Sequence, residues 1–221
     1  MSQLLSLVRQ HHIIVALRGI PGDGMVKTAK ALYEGGVRML EVTFDQSDPD
    51  CIRKTPAAIA AIKEEMGEKL LVGAGTVLTP EQAGAAVRAG ATYLLSPNFD
   101  TQVVIAARAL GVEIIPGVFT PSEAVAAHQA GAALVKLFPG GSLGLPYIKN
   151  LAGPIGHIPL LPMGGVDLDN IGDFLAQPNV AGVGIGSAIA KPALVKAGDF
   201  DGLRDLARQY TDKAALCGGG N

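Results

Sequence analysis

The stretch AVAAHQAGAALVKLF, residues 124–138, contains the unit from which the fold is predicted. An alanine-rich helical segment ends at Gly131, at a position that favours a residue able to adopt a left-handed backbone. A short apolar run follows, and nearly continuous apolar strands are typical of parallel sheets covered on both faces. The same order recurs at residues 29–44, 83–97 and 103–117, with Gly36, Gly90 and Gly111 at the helix ends. The chain is therefore predicted to consist of repeated β/α units.

Eight strands are predicted on this pattern, and their first residues lie 20 to 32 positions apart. They are residues 13–17, 38–43, 70–74, 92–96, 112–116, 133–138, 158–162 and 180–185. Helix starts are predicted at Thr79-Pro80 and Thr120-Pro121, where threonine caps the helix and proline takes its first position. Eight such units favour a closed (β/α)8 TIM barrel. The alternative, an open sheet, would need a dinucleotide-binding motif or a crevice between strands, and the sequence contains no GxGxxG motif.

The rest of the chain fits one barrel domain spanning residues 1–221, since no linker or change of composition interrupts the series. Residues 1–12 are predicted to form an extra N-terminal helix that covers the bottom of the barrel. The last six residues, LCGGGN, have nothing to pack against and are predicted to be frayed.

The composition excludes several functional classes. A formal net charge of −2 and 17% charged residues argue against the basic surface needed for nucleic acids or membranes. Cys51 and Cys217 are predicted to be free thiols, and the four histidines match no metal-ligand spacing. The first twelve residues are too short and polar for a signal peptide, and no apolar run approaches about 18 residues. The protein is predicted to be cytoplasmic, with no metal.

Polar residues cluster where the predicted strands end, which is where the active sites of such barrels lie. Arg18, Glu41, Thr76 and Lys136 fall at or near the ends of strands one, two, three and six. The pairs Gly164-Gly165 and Gly186-Ser187 follow strands seven and eight, the usual phosphate site of this fold. Alternatively, these glycines only form tight turns.

Lys136 poses a chemical question, because burying an ammonium in an apolar strand is costly. It could form a structural ion pair with Glu41. It could instead lose its proton, and a neutral amine attacks a ketone to form an imine. In that case Glu41 would transfer the protons.

Nine segments, in this order, resemble the class I 2-keto-3-deoxy-6-phosphogluconate / 2-keto-4-hydroxyglutarate (KDPG/KHG) aldolase family. They are ALRGI, GGVRMLEVTF, VGAGTVLTPEQ, LLSPN, IPGVFTPSEA, VKLFP, PMGGV, GIGS and AGDFDGL. The resemblance implies an (α/β)8 barrel, a homotrimer, and a covalent imine on Lys136 without metal or other cofactor. It also implies that Glu41 is the general acid/base. Arg18 and Thr76 would hold the carboxylate or hydroxyl groups of a 2-keto acid, Pro97 and Phe138 would shape the pocket, and Gly164, Gly165, Gly186 and Ser187 would bind phosphate.

Two positions depart from the phosphogluconate type of this family. Asp45 stands where that type has an arginine, and Met163 stands where it has a threonine. The phosphogalactonate branch also lacks the arginine, so it is an alternative. Two other classes stay open: a phosphosugar isomerase or epimerase on the same barrel, and a sugar-phosphate binder without catalytic activity.

Overall fold

Nine short strands and ten α-helices occur along residues 2–217, which the computed structural model describes. The strands are β1 (Ile13–Leu17), β2 (Met39–Thr43), β3 (Leu71–Gly75), β4 (Tyr93–Leu95), β5 (Glu113–Ile115), β6 (Gly117–Val118), β7 (Val135–Leu137), β8 (Leu160–Pro162) and β9 (Val183–Ile185). The helices are α1 (Gln3–His11), α2 (Gly22–Glu34), α3 (Cys51–Met66), α4 (Pro80–Arg88), α5 (Thr101–Ala109), α6 (Pro121–Gln129), α7 (Gly140–Ile155, interrupted at Gly144), α8 (Ile171–Leu175), α9 (Pro192–Ala197) and α10 (Phe200–Cys217).

All strands pair in parallel, in two sheets. The first sheet has six strands in the order β5-β4-β3-β2-β1-β9, and the second has three in the order β6-β7-β8. Isolated bridges from Leu160 to Val180 and from Met163 to Gly184 connect the β8 side of the second sheet with the β9 side of the first. The predicted α/β class is confirmed.

Each of the eight predicted strands overlaps an observed one, although β3 ends one residue later than predicted. The fifth is interrupted at Pro116 and continues beyond its predicted end as β6. The ladder between β4 and β5 ends with the hydrogen bond from the Ser96 amide to the Ile115 carbonyl (3.3 Å). The next amide on the side of β4, that of Gly117, donates to the Asn98 carbonyl (3.2 Å), which lies beyond the end of β4. The Pro116 carbonyl instead accepts from the Lys136 amide (2.8 Å), and the pairing with β7 begins there. The ladder thus passes from one sheet to the other at this proline.

The predicted helix boundaries follow the capping residues. Thr79 accepts a hydrogen bond from the Gln82 amide at the start of α4 (3.2 Å). Thr120 and Glu123 form a reciprocal capping box at the start of α6. Gly36, Gly90, Gly111 and Gly131 all have positive φ, as the repeat predicts.

Helix α1 packs against side chains from both sheets. Leu4 and Val8 belong to one buried cluster with Ile14, Met39, Tyr93, Leu95, Ile115, Leu134, Leu161 and Ala181. These side chains come from the strands or from residues next to them, so the predicted N-terminal helix is present and covers this cluster. A second, larger cluster lies between the strands and the surrounding helices.

At the other end of the chain, Leu216 and Cys217 still belong to α10, so the predicted fraying is wrong for these two residues. Residues 218–221, the remainder of that prediction, lie outside the described residues. Between residues 2 and 217, no helix combines the length and the apolar character that crossing a bilayer requires.

Candidate active site

A cavity of about 790 Å³ lies at the carboxyl ends of the strands. All of the site residues selected from the sequence line it: Arg18, Glu41, Thr76, Pro97, Lys136, Phe138, Gly164, Gly165, Gly186 and Ser187. The structure therefore brings together residues that are spread over most of the chain. Met163 and Asp167 line the same cavity.

Lys136 lies in the middle of β7, between Gly117 on β6 and Leu161 on β8. Its side chain is nearly out of solvent, with 4% of the residue surface exposed. Burial lowers the pKa of the amine below its usual range, Glu41 opposes this shift, and the Arg18 charge adds to it. The Nζ atom is 5.0 Å from the centre of the Phe138 ring. A lowered pKa increases the fraction of neutral amine, which is the nucleophilic form.

Glu41 lies on β2 and is still more deeply buried, with 1% of its surface exposed. Burial raises the pKa of its carboxyl group, and the nearby charges of Lys136 and Arg18 act in the opposite direction. Its Oε2 atom has no hydrogen-bond partner among the described residues. Within the same part of the chain, no direct ion pair joins Glu41 to Lys136. The two groups influence each other through space while both remain available to a substrate.

Two glycines of β3 make room for these interior groups. A methyl group at Gly75 would collide with the Glu41 carboxyl group, and one at Gly73 would collide with the Tyr93 ring. The Tyr93 hydroxyl donates a hydrogen bond to the Leu40 carbonyl (2.7 Å), directly before Glu41 in the chain. Sequence reasoning assigned no role to these residues. The available signal was a pair of glycines inside an apolar strand, which often marks a close approach.

Arg18 and Thr76 meet at the rim of the cavity. The Arg18 guanidinium donates to the Thr76 hydroxyl (2.9 Å), and the Gln46 side-chain amide donates to the Thr76 carbonyl (2.9 Å). Thr76 has a φ of 55°, an unusual value for a residue other than glycine. Such backbone conformations cluster at functional sites, where the surrounding contacts hold them.

Asp45 does not line this cavity. It lies instead at a neighbouring one of about 580 Å³ between α2 and α3. Its carboxylate accepts hydrogen bonds from the amide (3.0 Å) and the hydroxyl (2.7 Å) of Ser47, and these bonds lower its pKa. With Asp45 in place of the arginine of the phosphogluconate type, Arg18 and Lys136 are the cationic side chains that line the cavity.

The glycine loops form the other end of the cavity. Gly164 and Gly165 have φ values of 84° and 80°. The start of α7 holds this loop, because the Gly140 amide donates to the Met163 carbonyl (2.7 Å) and the Gly141 amide to the Gly164 carbonyl (2.6 Å). Met163 is buried against the face of Gly184, where a methyl group would lie 2.6 Å from its side chain. Its thioether side chain thus offers no strong hydrogen-bonding group at the position where the phosphogluconate type has a threonine.

Comparison with known proteins agrees with this geometry. The family model described as KDPG and KHG aldolase matches residues 5–206. A 2-dehydro-3-deoxy-phosphogluconate aldolase from Treponema pallidum is 40% identical over 188 residues, which cover 85% of this chain and 86% of the relative. A KHG/KDPG aldolase from Escherichia coli is 36% identical over 192 residues, 86% of each chain.

Solved structures agree as well. The KDPG aldolase of Legionella pneumophila, with pyruvate captured at low pH as a covalent carbinolamine intermediate, aligns with a TM-score of 0.84 and 29% identity over 94% of this chain and 97% of that one. A native KDPGal structure has a TM-score of 0.82 and 30% identity, with coverages of 93% and 95%. The resemblance drawn from the sequence is thereby confirmed, and the chain belongs to the KDPG and KHG aldolase family of lyases.

Proposed function

We propose that the chain is a class I aldolase that reversibly cleaves one of two kinds of 2-keto acid. One is a 2-keto-3-deoxy-6-phospho sugar acid such as KDPG, which gives pyruvate and glyceraldehyde 3-phosphate. The other is 4-hydroxy-2-oxoglutarate, which gives pyruvate and glyoxylate. The observation that carries the proposal is Lys136, a nearly buried lysine with a lowered pKa that lines the cavity without a direct ion pair.

The mechanism follows from the positions of these groups. The neutral amine of Lys136 adds to the C2 carbonyl of the substrate, and loss of water from the carbinolamine gives a protonated imine. Glu41 then takes the proton of the C4 hydroxyl group, directly or through a water molecule. The C3–C4 bond breaks, its electron pair passes towards the imine nitrogen, and the aldehyde leaves. Protonation of the resulting enamine at C3 and hydrolysis of the imine release pyruvate and restore Lys136.

Glu41 suits this role because burial raises the pKa of its carboxyl group above the usual range, and a carboxylate with a raised pKa is a stronger base. Arg18 and Thr76 would bind the substrate carboxylate, since a guanidinium and a hydroxyl group are both hydrogen-bond donors to it. Pro97 and Phe138 would form the wall beside the imine. The covalent intermediate of the L. pneumophila relative supports an imine mechanism in this chain.

The two rival classes fit the site less well. A sugar-phosphate binder in which Lys136 and Glu41 only neutralise each other would require a direct ion pair between them, and the described residues contain none. An isomerase or epimerase needs two acid/base groups and no imine, so a pyruvate adduct on Lys136 would exclude it. Cleavage of 2-keto-3-deoxy-6-phosphogalactonate is the alternative within the family, and the similarity to a KDPGal structure supports it.

We also propose that the two sheets together form the closed eight-stranded barrel of a single domain. Support comes from the backbone bonds at both junctions, Lys136 to Pro116 (2.8 Å) and Ala181 to Leu160 (2.9 Å). The buried cluster that includes side chains near the strands of both sheets supports it too.

A homotrimer is proposed on the resemblance to the family. A protein cage designed by fusing symmetric oligomeric domains aligns with 93% of this chain, at a TM-score of 0.80 and 30% identity. Light scattering should then give a mass about three times 22.6 kDa.

The cytoplasmic location stays a prediction. We further propose that the reaction needs no metal ion, and turnover should then be unchanged after treatment with EDTA.

The proposal is tested by reducing the protein with borohydride in the presence of pyruvate and measuring its intact mass. Reduction of an imine leaves pyruvate covalently attached, and peptide mapping should place the adduct on Lys136. Lys136→Ala should form no adduct. Lys30→Ala, which removes an exposed lysine of α2 outside the cavity, is the matched control and should still form it. An adduct on the Lys136→Ala protein would show that another lysine forms the imine.

A further inference from the structure

The charged side chains that line the cavity are unevenly distributed. Lys136, Glu41 and Arg18 belong to the part of the cavity formed by β7, β2 and the end of β1. The part formed by Gly164, Gly165, Gly186 and Ser187 includes no lysine or arginine, although Asp167 lines it. The end that should receive a substrate phosphate therefore contains a negative charge and no cationic side chain among the described residues.

Asp167 is held firmly in this place. Its Oδ1 atom accepts hydrogen bonds from the amides of Asp169 (2.9 Å) and Asn170 (3.1 Å), and its own amide donates to the Asn170 side chain (3.0 Å). The Asn170 side chain in turn donates to the Gly165 carbonyl (2.9 Å). Because of these bonds, the carboxylate cannot move away from the glycine loop without disrupting the turn that carries it.

The carboxylate is also not neutralised. Residues 2–217 contain no ion pair that involves Asp167, and its second oxygen has no hydrogen-bond partner there. A phosphate monoester carries a charge of about −1.5 to −2 at pH 7. Repulsion between these groups opposes whatever attraction the free amides of the glycine loop provide.

We infer that Asp167 is a specificity-determining residue that weakens binding of the phosphorylated end of the substrate. The chain thereby favours 2-keto acids whose aldehyde half has no phosphate, such as 4-hydroxy-2-oxoglutarate. In that substrate the distal carboxylate is attached to the reacting C4 atom and stays near the imine end, whereas a 6-phosphate extends towards the glycine loops. The inference rests on the proposed aldolase function and assigns its preferred substrate class.

The decisive variant is Asp167→Asn, because asparagine keeps the shape and the accepting Oδ1 atom and removes the negative charge. At low salt, the Michaelis constant for KDPG should fall about three- to tenfold, as expected for one charge acting on a dianion through water. The constant for 4-hydroxy-2-oxoglutarate should change less than about twofold, and added KCl should shrink the difference. Asp173→Asn makes the same change of net charge at an exposed position of α8, outside the cavity, and should leave both constants unchanged.

Equal effects on the two substrates, or none, would overturn the inference. A titration with inorganic phosphate followed by NMR separates it from the aldolase proposal, because phosphate binding requires no turnover. Phosphate should bind Asp167→Asn about three- to tenfold more tightly than the unaltered protein. Equal phosphate affinities would overturn the role of Asp167 even if the borohydride experiment succeeds. A failed borohydride experiment with the expected phosphate result would instead overturn the imine mechanism alone.

Discussion

Lys136 and Glu41 expose only 4% and 1% of their surfaces, whereas Ser187 and Asp167, which line the same cavity, are exposed to solvent. At the buried end, loss of hydration raises the pKa of Glu41 and lowers that of Lys136, so both shifts favour the neutral form of the group. At the exposed end, water screens each charge, and binding depends on many weak contributions. Substitutions at the buried end should therefore change chemistry by orders of magnitude, and those at the exposed end should change affinity by small, salt-dependent factors.

The largest effect is expected for Lys136→Met, which keeps the length and apolar stem of the side chain and removes the nucleophile. Turnover should fall by about 10⁵-fold or more, because the whole imine pathway is lost. The protein should remain folded by circular dichroism, since methionine fits an apolar strand. If Lys136→Met retained a tenth of the activity, chemistry at the buried end would not depend on an imine at this position.

The next effect in size is expected for Glu41→Gln, which retains the shape but cannot exchange a proton in the required range. Turnover should fall by about 10²- to 10⁴-fold, while the pyruvate adduct still forms with borohydride. The sharper measurement is exchange of the pyruvate methyl protons with deuterated water, followed by NMR. An unchanged exchange rate would mean that Glu41 only balances the charge of Lys136.

The same substitution should increase stability, with a defined pH dependence. The pKa of Glu41 in the folded protein is raised above its ordinary value of 4.5. At pH values between these two pKa values, the folded protein therefore keeps a proton that the unfolded chain has lost. Glu41 therefore contributes most to stability below the unfolded pKa, and this contribution is lost as the pH rises through the folded pKa. Relative to the unaltered protein, Glu41→Gln should therefore gain free energy of unfolding on going from pH 5 to pH 8. Urea titrations at the two pH values would measure it, and an equal difference at both would contradict the assignment.

The buried end was also the easier one to predict from the sequence. A lone lysine in an apolar strand and a glutamate in another are chemically conspicuous, and strand ends in a β/α repeat point to a common rim. The roles of Gly73, Gly75 and Tyr93 were missed because they depend on which side chains meet across neighbouring strands. Periodicity within one strand does not contain that information.

The exposed end and the strand junctions were harder to predict. Asp167 in a loop has the composition of an ordinary turn, and only the three-dimensional cavity shows that its carboxylate lines the site. The division of the fifth strand at Pro116 required knowing which carbonyl Lys136 pairs with. The sequence also could not predict which cavity Asp45 lies beside, because β2 ends at Thr43 and its alternation of side chains does not extend to Asp45. The hydrogen bonds to Ser47 hold Asp45 beside the neighbouring cavity.

Arg18→Lys tests whether Arg18 binds the carboxylate of the substrate or its phosphate. A guanidinium can form two parallel hydrogen bonds with a carboxylate and an ammonium cannot, so the Michaelis constant should rise about tenfold. The increase should be similar for every 2-keto acid, phosphorylated or not, because all of them share the carboxylate. Asp45→Asn, which removes a charge beside the neighbouring cavity, is the control and should change these constants less than about twofold. A selective loss of phosphorylated substrates would instead place Arg18 at the phosphate end and reverse the substrate.

The smallest effect is expected for Ser187→Asp at the exposed end. The new carboxylate would face the glycine loops, so the Michaelis constant for KDPG should rise about three- to tenfold at low salt. The constant for 4-hydroxy-2-oxoglutarate should stay within about twofold, because its carboxylates remain near Arg18 and Lys136. Combined with Asp167→Asn, the substitution leaves the net charge of this end unchanged, and the constant for KDPG should return towards the original value if through-space charge controls affinity here. If the double variant were as impaired as Ser187→Asp alone, the serine hydroxyl would contribute through a direct hydrogen bond to the phosphate, and the exposed end would recognise shape as well as charge.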